Sequence, residues 1–94
     1  MASYVYTPLD PFVLTSSWQK VLTVDNGTLA VRMSGASDSS YWDIEYTVVP
    51  EGDSAPTIAN GLALLASEDF SGGIPIGDIY AKSVSGQTLI VWVA

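Results

Sequence analysis

Alternation of apolar and polar residues dominates the chain. Between Tyr41 and Val49, Trp42, Ile44, Tyr46 and Val48 hold one parity and Asp43, Glu45 and Thr47 the other. Successive side chains of a strand point to opposite faces, so this spacing predicts a half-buried strand. It ends at Pro50, and the following PEGDSAP stretch reads as a loop held by two prolines and a glycine. The same period flanks Asn26-Gly27, a dipeptide that tolerates φ > 0 at both positions and therefore predicts a type I′ hairpin. That register sets Asp25 against Thr28, Val24 against Leu29, Thr23 against Ala30 and Leu22 against Val31. Trp18, Leu22, Val24, Leu29, Val31 and Met33 then share an apolar face, and Gln19, Thr23, Asp25, Thr28 and Arg32 the other. Lys20 is the misfit on the apolar face, able to carry its amine to solvent. SGASDSS, over 34–40, is a polar loop.

A second hairpin is predicted about Ser85-Gly86, joining Ile79–Val84 to Gln87–Val93. With a two-residue turn it sets Ala81 against Ile90 and Ile79 against Trp92. The last strand is apolar at both parities, the pattern of a strand central in a sandwich or pressed between layers. Gly61–Phe70 is ambiguous, because Leu62, Leu64, Leu65 and Ala66 also fit a helical turn or two. Only about nine residues separate Asn60-Gly61 from Ser71-Gly72-Gly73, short for a helix. The segment is therefore read as a strand over Leu62–Ala66 with Glu68-Asp69 in the turn after it. At the N-terminus, Pro8 and Pro11 flank Leu9-Asp10 and argue against both a helix and a central strand. Tyr4, Tyr6, Leu9 and Phe12 still need a surface to lie on, either the chain's own body or a neighbour's. These features predict an extended arm over 1–17 and a domain over 18–94. The domain is all-β, a single antiparallel β-sandwich or jelly-roll-like barrel.

Composition narrows what such a domain can do. The 94 residues weigh 9.9 kDa, and scaling gives a folded surface of about 5,200 Å² with room for one modest core. There is no Cys and no His. Disulfides, thiolate metal sites, Cys nucleophiles and imidazole chemistry are thereby excluded, and the redox compartment is left open. Ten acidic residues against three basic ones give a net charge of −7. Such a chain cannot neutralise a run of phosphates, so neither nucleic acid nor an anionic membrane surface is an expected partner. MASYVYTPLDPF has no basic n-region and carries Asp10, and the longest apolar run, Leu89–Ala94, is six residues. No targeting or membrane segment is therefore read. Hydrophobic residues make up 48% and charged ones 14%, against a typical quarter charged. Either the surface is neutral and Ser/Thr-rich, or part of it is covered by other subunits, whose contact cores are poor in charge and rich in aromatics.

Chemistry-bearing groups each have an ordinary explanation. Asp43 and Glu45 share a strand face about 7 Å apart. A carboxylate pair can serve glycoside hydrolysis, but these residues fit the solvent face of an amphipathic strand. Asp38, Asp53, Glu68, Asp69 and Asp78 lie in or beside loops without the spacing of a calcium motif, as turn-forming residues do. Ser71-Gly72-Gly73 lacks the following Lys-Ser/Thr of a phosphate cradle. No catalytic, cofactor-binding or metal-binding residue is expected, and no enzymatic activity. Trp18 and Trp42 sit on apolar faces and are read as core. Tyr4, Tyr6, Leu9, Phe12, Tyr41 and Trp92 form the candidate interface set, since exposed aromatics fill a partner's pocket or stack on sugars.

The C-terminal half contains Gly61-Leu62-Ala63-Leu64, then Glu68-Asp69-Phe70, Ile79-Tyr80-Ala81, Ser85-Gly86 and the closing strand Leu89–Val93. In this layout it resembles the small all-β virion structural proteins of tailed bacteriophages. The earlier strand, Asn26-Gly27 and Leu29-Ala30-Val31-Arg32 are similar in outline. The resemblance implies a non-enzymatic virion protein assembled in the host cytoplasm: a capsid decoration (cement) protein, or a tail or head–tail part. Its implied partners are other virion proteins, the major capsid protein first, and further copies of itself. The order of that homo-oligomer stays open, a trimer being one choice. The alternative is a ligand-binding module on a phage tail, carbohydrate- or receptor-binding. A decoration protein should show a contiguous apolar patch or an arm leaving the body. A sugar binder should show two exposed aromatics flanking polar groups in a groove.

Overall fold

A computed structural model describes residues 5–35, 43–64, 67–71 and 76–94. The strands are β1 (Thr7–Pro8), β2 (Phe12–Val13), β3 (Gln19–Val24), β4 (Ala30–Gly35), β5 (Ile44–Val49), β6 (Leu62–Ala63), β7 (Ser67–Ser71), β8 (Gly77–Ser83) and β9 (Thr88–Val93). They form two antiparallel sheets, as the all-β reading expects. The first has the order β1-β9-β4-β7, with β2 also on β9, and the second the order β3-β8-β5-β6. The pairs β2·β9, β3·β8, β4·β7 and β5·β6 form one long antiparallel ribbon, in which each half of the chain runs back along the other. Rolling the ribbon brings β4 onto β9 and β5 onto β8. That is the topology of a jelly roll, a double sheet with protected edges.

Both predicted hairpins are corrected by this topology. Their turns form where expected, with Thr28 N donating to Asp25 O at 3.1 Å and Gly86 N donating to Ser83 O at 3.1 Å. The flanking strands then diverge: β3 joins the second sheet and β4 the first, and likewise β8 the second and β9 the first. Each turn is an arch over the core, and its two strands meet through side chains, not backbones. The positive-φ glycines among the described residues are Gly52, Gly77 and Gly86, so the turn at Gly27 is not type I′. It is held by the Asp25 carboxylate, which accepts from Gly27 N at 2.8 Å and Thr28 Oγ1 at 3.4 Å, an Asx-type arrangement.

The predicted faces also shift. A bulge between Lys20 and Leu22 inserts Val21, which is buried in the core. Val24, Val31 and Met33 are buried as expected, whereas Leu29, inside the arch, is 60% exposed. Along β5, Ile44 and Tyr46 are buried and Val48 packs against them, as the alternation predicts. The strand read over Leu62–Ala66 is two residues long at Leu62–Ala63; Leu65 and Ala66 lie outside the described residues. Glu68 and Asp69 lie within strand β7, paired with β4, not in a turn.

From Thr7 onward the N-terminal segment lies along the first sheet, on the chain's own body. Thr7 pairs with Val93, Pro8 with Trp92, Phe12 with Leu89 and Val13 with Thr88. Extrapolating from Pro8 would put Phe12 opposite Thr88, so one extra residue sits between the two pieces, around Pro11. Leu9 N donates to Val91 O at 2.9 Å and Leu14 N to Gln87 O at 3.1 Å, and Leu14 is 1% exposed in the core. Proline excludes a segment from a central strand but not from an edge, where its missing N–H can face away from the ladder. These residues are the edge of the first sheet. The surface is 5400 Å², close to the size expectation of about 5,200 Å².

Candidate functional site

The outer face of the first sheet is built around β9. Leu89 and Val91 point inward and are buried; Ile90 and Trp92, at the other parity, are half-buried. Register places Pro8 and Arg32 on either side of Trp92, and the Arg32 guanidinium lies 5.6 Å from the Trp92 ring centroid. Ser34 stands beside Ile90, and Val13, opposite Thr88, is 68% exposed. The result is an apolar strip of Pro8, Trp92, Ile90 and Val13 bordered by one cation. Of the candidate interface set, Trp92 stands on this outer face. Leu9 and Phe12 are half-buried, each with one side packed against the core. Tyr6 is half-buried. Tyr4 and Tyr41 lie outside the described residues, as do Trp42 and Asp38.

The outer face of the second sheet is strapped by the loop over 50–61. Asp78, 2% exposed, accepts from Thr23 Oγ1 at 2.7 Å and from Gly52 N at 3.2 Å, and Lys20 Nζ lies 3.9 Å away. The Thr23 hydrogen bond holds its pKa below the ordinary carboxylate value, against the desolvation that raises it, with Gly52 and Lys20 adding to the lowering. The half-exposed Lys20 pair adds little to stability. Farther along, Trp18 Nε1 donates to Ile58 O at 2.9 Å, Lys82 Nζ donates to Ala59 O, and Gly61 N donates to Glu45 Oε1 at 2.9 Å. Tyr80, between these anchors on β8, is buried. Two glycines permit the close fit: a Cβ on Gly77 would lie 2.2 Å from Val49 O, and one on Gly61 would lie 2.5 Å from Tyr46 O.

Trp18, read as core, instead stands on this outer face, because the bulge at Val21 resets the parity before it. Lys82 Nζ sits 4.8 Å from its ring centroid. Together with Ser16, Ser17, Ala55, Pro56, Thr57 and Ile58 these two residues line a shallow groove of about 360 Å³. Sequence reasoning missed it, since it joins segments some 40 positions apart. The polar Thr15-Ser16-Ser17 run beside Trp18 was the available signal.

The carboxylates weighed as an acid–base pair have separate structural duties. Asp43 accepts from Ser85 Oγ, from Ser85 N at 2.7 Å and from Ser83 Oγ at 2.9 Å, fastening the β8–β9 arch. These bonds, Ser85's first, hold its pKa below the ordinary value. Glu45 holds Gly61. Among the described residues no three acidic side chains gather as a metal site would need. No known protein family, curated protein or solved structure matches the chain.

Proposed function

We propose that the chain is a non-enzymatic structural protein of a virion, and within that class a capsid-decorating one. The observation that carries this reading is the outer face of the first sheet, where an apolar strip runs across a body with little charge. The chain measures 37 × 32 × 20 Å. With two stacked layers across the short axis, a sheet face is broader than the roughly 800 Å² each partner contributes to a standard interface. Trp92, under Arg32, is the kind of anchor that dominates such contacts. The resemblance to phage virion proteins is in keeping with this reading; of its quoted residues, Leu64, Ile79, Ala81, Leu89 and Val91 are core and Gly86 is a turn glycine, which bears on the fold.

Decoration would act by linkage. A domain that binds only the assembled shell stabilises that state by its binding free energy, without any reaction. The test is cosedimentation of the purified chain with shells that lack it, followed by thermal melting of the shells. Saturable binding and a raised shell melting temperature are expected. A chain that stays monomeric at high concentration and leaves the shells untouched contradicts the proposal.

A further inference from the structure

The groove beside Trp18 has no part in that reading, and its composition differs from the apolar strip. We propose that it is a binding subsite for a single neutral saccharide ring. A pyranose offers a C–H face and a rim of hydroxyls. It therefore suits a partly exposed aromatic ring bordered by hydroxyls and an ammonium.

Three features of the groove fit this ligand. The indole is held before any ligand arrives: its N–H is tied to Ile58 O at 2.9 Å, Lys82 lies over the ring, and its Cη2 edge sits where a Cβ on Gly61 would be 2.6 Å away. A ring fixed in advance loses little freedom on binding. The polar complement is also present. Ser16, Ser17 and Thr57 bring hydroxyls that both donate and accept, and the Lys82 ammonium has three donors, of which Ala59 O takes one. The volume, about 360 Å³, lies at the small end of ligand pockets and has room for a sugar ring. The net charge of −7 opposes an acidic sugar at long range, whereas Lys82 is the charge nearest the groove, so glucuronate is the comparison that tests neutrality. Among the described residues the lining includes no Asp or Glu, so the proposal is one of binding and assigns no carboxylate pair of a glycosidase. Among the described residues its lining has one aromatic ring, Trp18, which suits a single sugar ring.

The test titrates ¹⁵N-labelled protein with glucose, galactose, mannose and N-acetylglucosamine, with glucuronate as the charged comparison. At least one neutral sugar should give saturable shifts at Ser16, Ser17, Thr57, Ile58 and the Trp18 indole N–H. The dissociation constant should be millimolar, as expected of a small ligand in a shallow groove. Trp18→Ala should weaken binding at least tenfold. Because Trp18 also anchors the loop, Ser17→Leu provides the independent variant: it fills the groove, keeps the anchors and should weaken binding as much with an unchanged melting temperature. No saturable shift with any neutral sugar, shifts confined to another surface, full affinity in Ser17→Leu, or tighter binding of glucuronate would each overturn the proposal. Shell binding is read in a separate assay, so either proposal can fail without the other.

Discussion

The two outer faces of this sandwich solve the same problem in opposite ways. Behind the second sheet, Asp78, Glu45, Lys82 and the Trp18 indole all make bonds within the chain, and the loop over 50–61 lies across them. Behind the first sheet, Trp92 and Ile90 remain half-exposed beside Pro8 and Val13, with Arg32 over the ring. A polar outer face can recruit its own loop through hydrogen bonds to backbone groups. An apolar outer face offers such a loop no bonds, and its natural cover is a complementary apolar surface. The loop bonds of the second face therefore serve stability, and the first face is where docking to a shell is proposed.

Substitutions should separate these roles, beginning with the largest effects on stability. Leu14→Ala should cost about 2–5 kcal/mol in denaturant unfolding, because Leu14 is 1% exposed in the core and large-to-small changes there leave a cavity. Its neighbour Val13, 68% exposed, should change to Ser within about 0.5 kcal/mol. Equal costs would mean that the N-terminal segment is not an edge strand with distinct inner and outer sides. Gly77→Ala should cost about 3 kcal/mol, combining a positive φ of 147° with a clash against Val49 O. Gly27→Ala should cost about 1 kcal/mol or less, since the arch at Gly27 needs no left-handed glycine and its Cβ would meet only Asp25 Oδ1, at 3.3 Å; a loss of about 3 kcal/mol would point back to the hairpin turn.

Acid should reveal the same division. Asp78 and Asp43 have folded-state pKa values below the ordinary 3.8. A depressed carboxylate contributes stability that is fully present above its unfolded pKa and lost as pH falls through the folded one. Melting temperature should therefore be level above about pH 5 and fall below the ordinary carboxylate range. Asp78→Asn should flatten part of that fall, and Trp92→Ser should leave its shape unchanged. A pH profile unaffected by Asp78→Asn would remove the anchoring role given to that carboxylate.

Much of the fold is legible in the residues, for identifiable reasons. Period-two alternation locates β5, and the doubly apolar Leu89–Val93 run marks β9 as central, which its position between β1/β2 and β4 bears out. The turns at Asn26-Gly27 and Ser85-Gly86 are likewise where their chemistry places them. Sheet membership is not legible, because a hairpin and an arch both turn alternate apolar residues inward. The extra residue at Val21 is equally silent, and it moves Trp18 from the expected core to the outer face. Trp92 could be found because β9 is apolar on both sides. The groove could not, because Ser16–Trp18 and Ala55–Ile58 meet only once β8 carries Lys82 between them.

The contrast between the faces is tested most directly by hydroxyl-radical footprinting of the chain free and bound to shells that lack it. Trp92 and Trp18 report one face each within a single sample. Bound chain should show Trp92 and Ile90 protected from oxidation and Trp18 oxidised as in the free chain. Protection of Trp18 with Trp92 unchanged would contradict the account and place the docking surface on the strapped face.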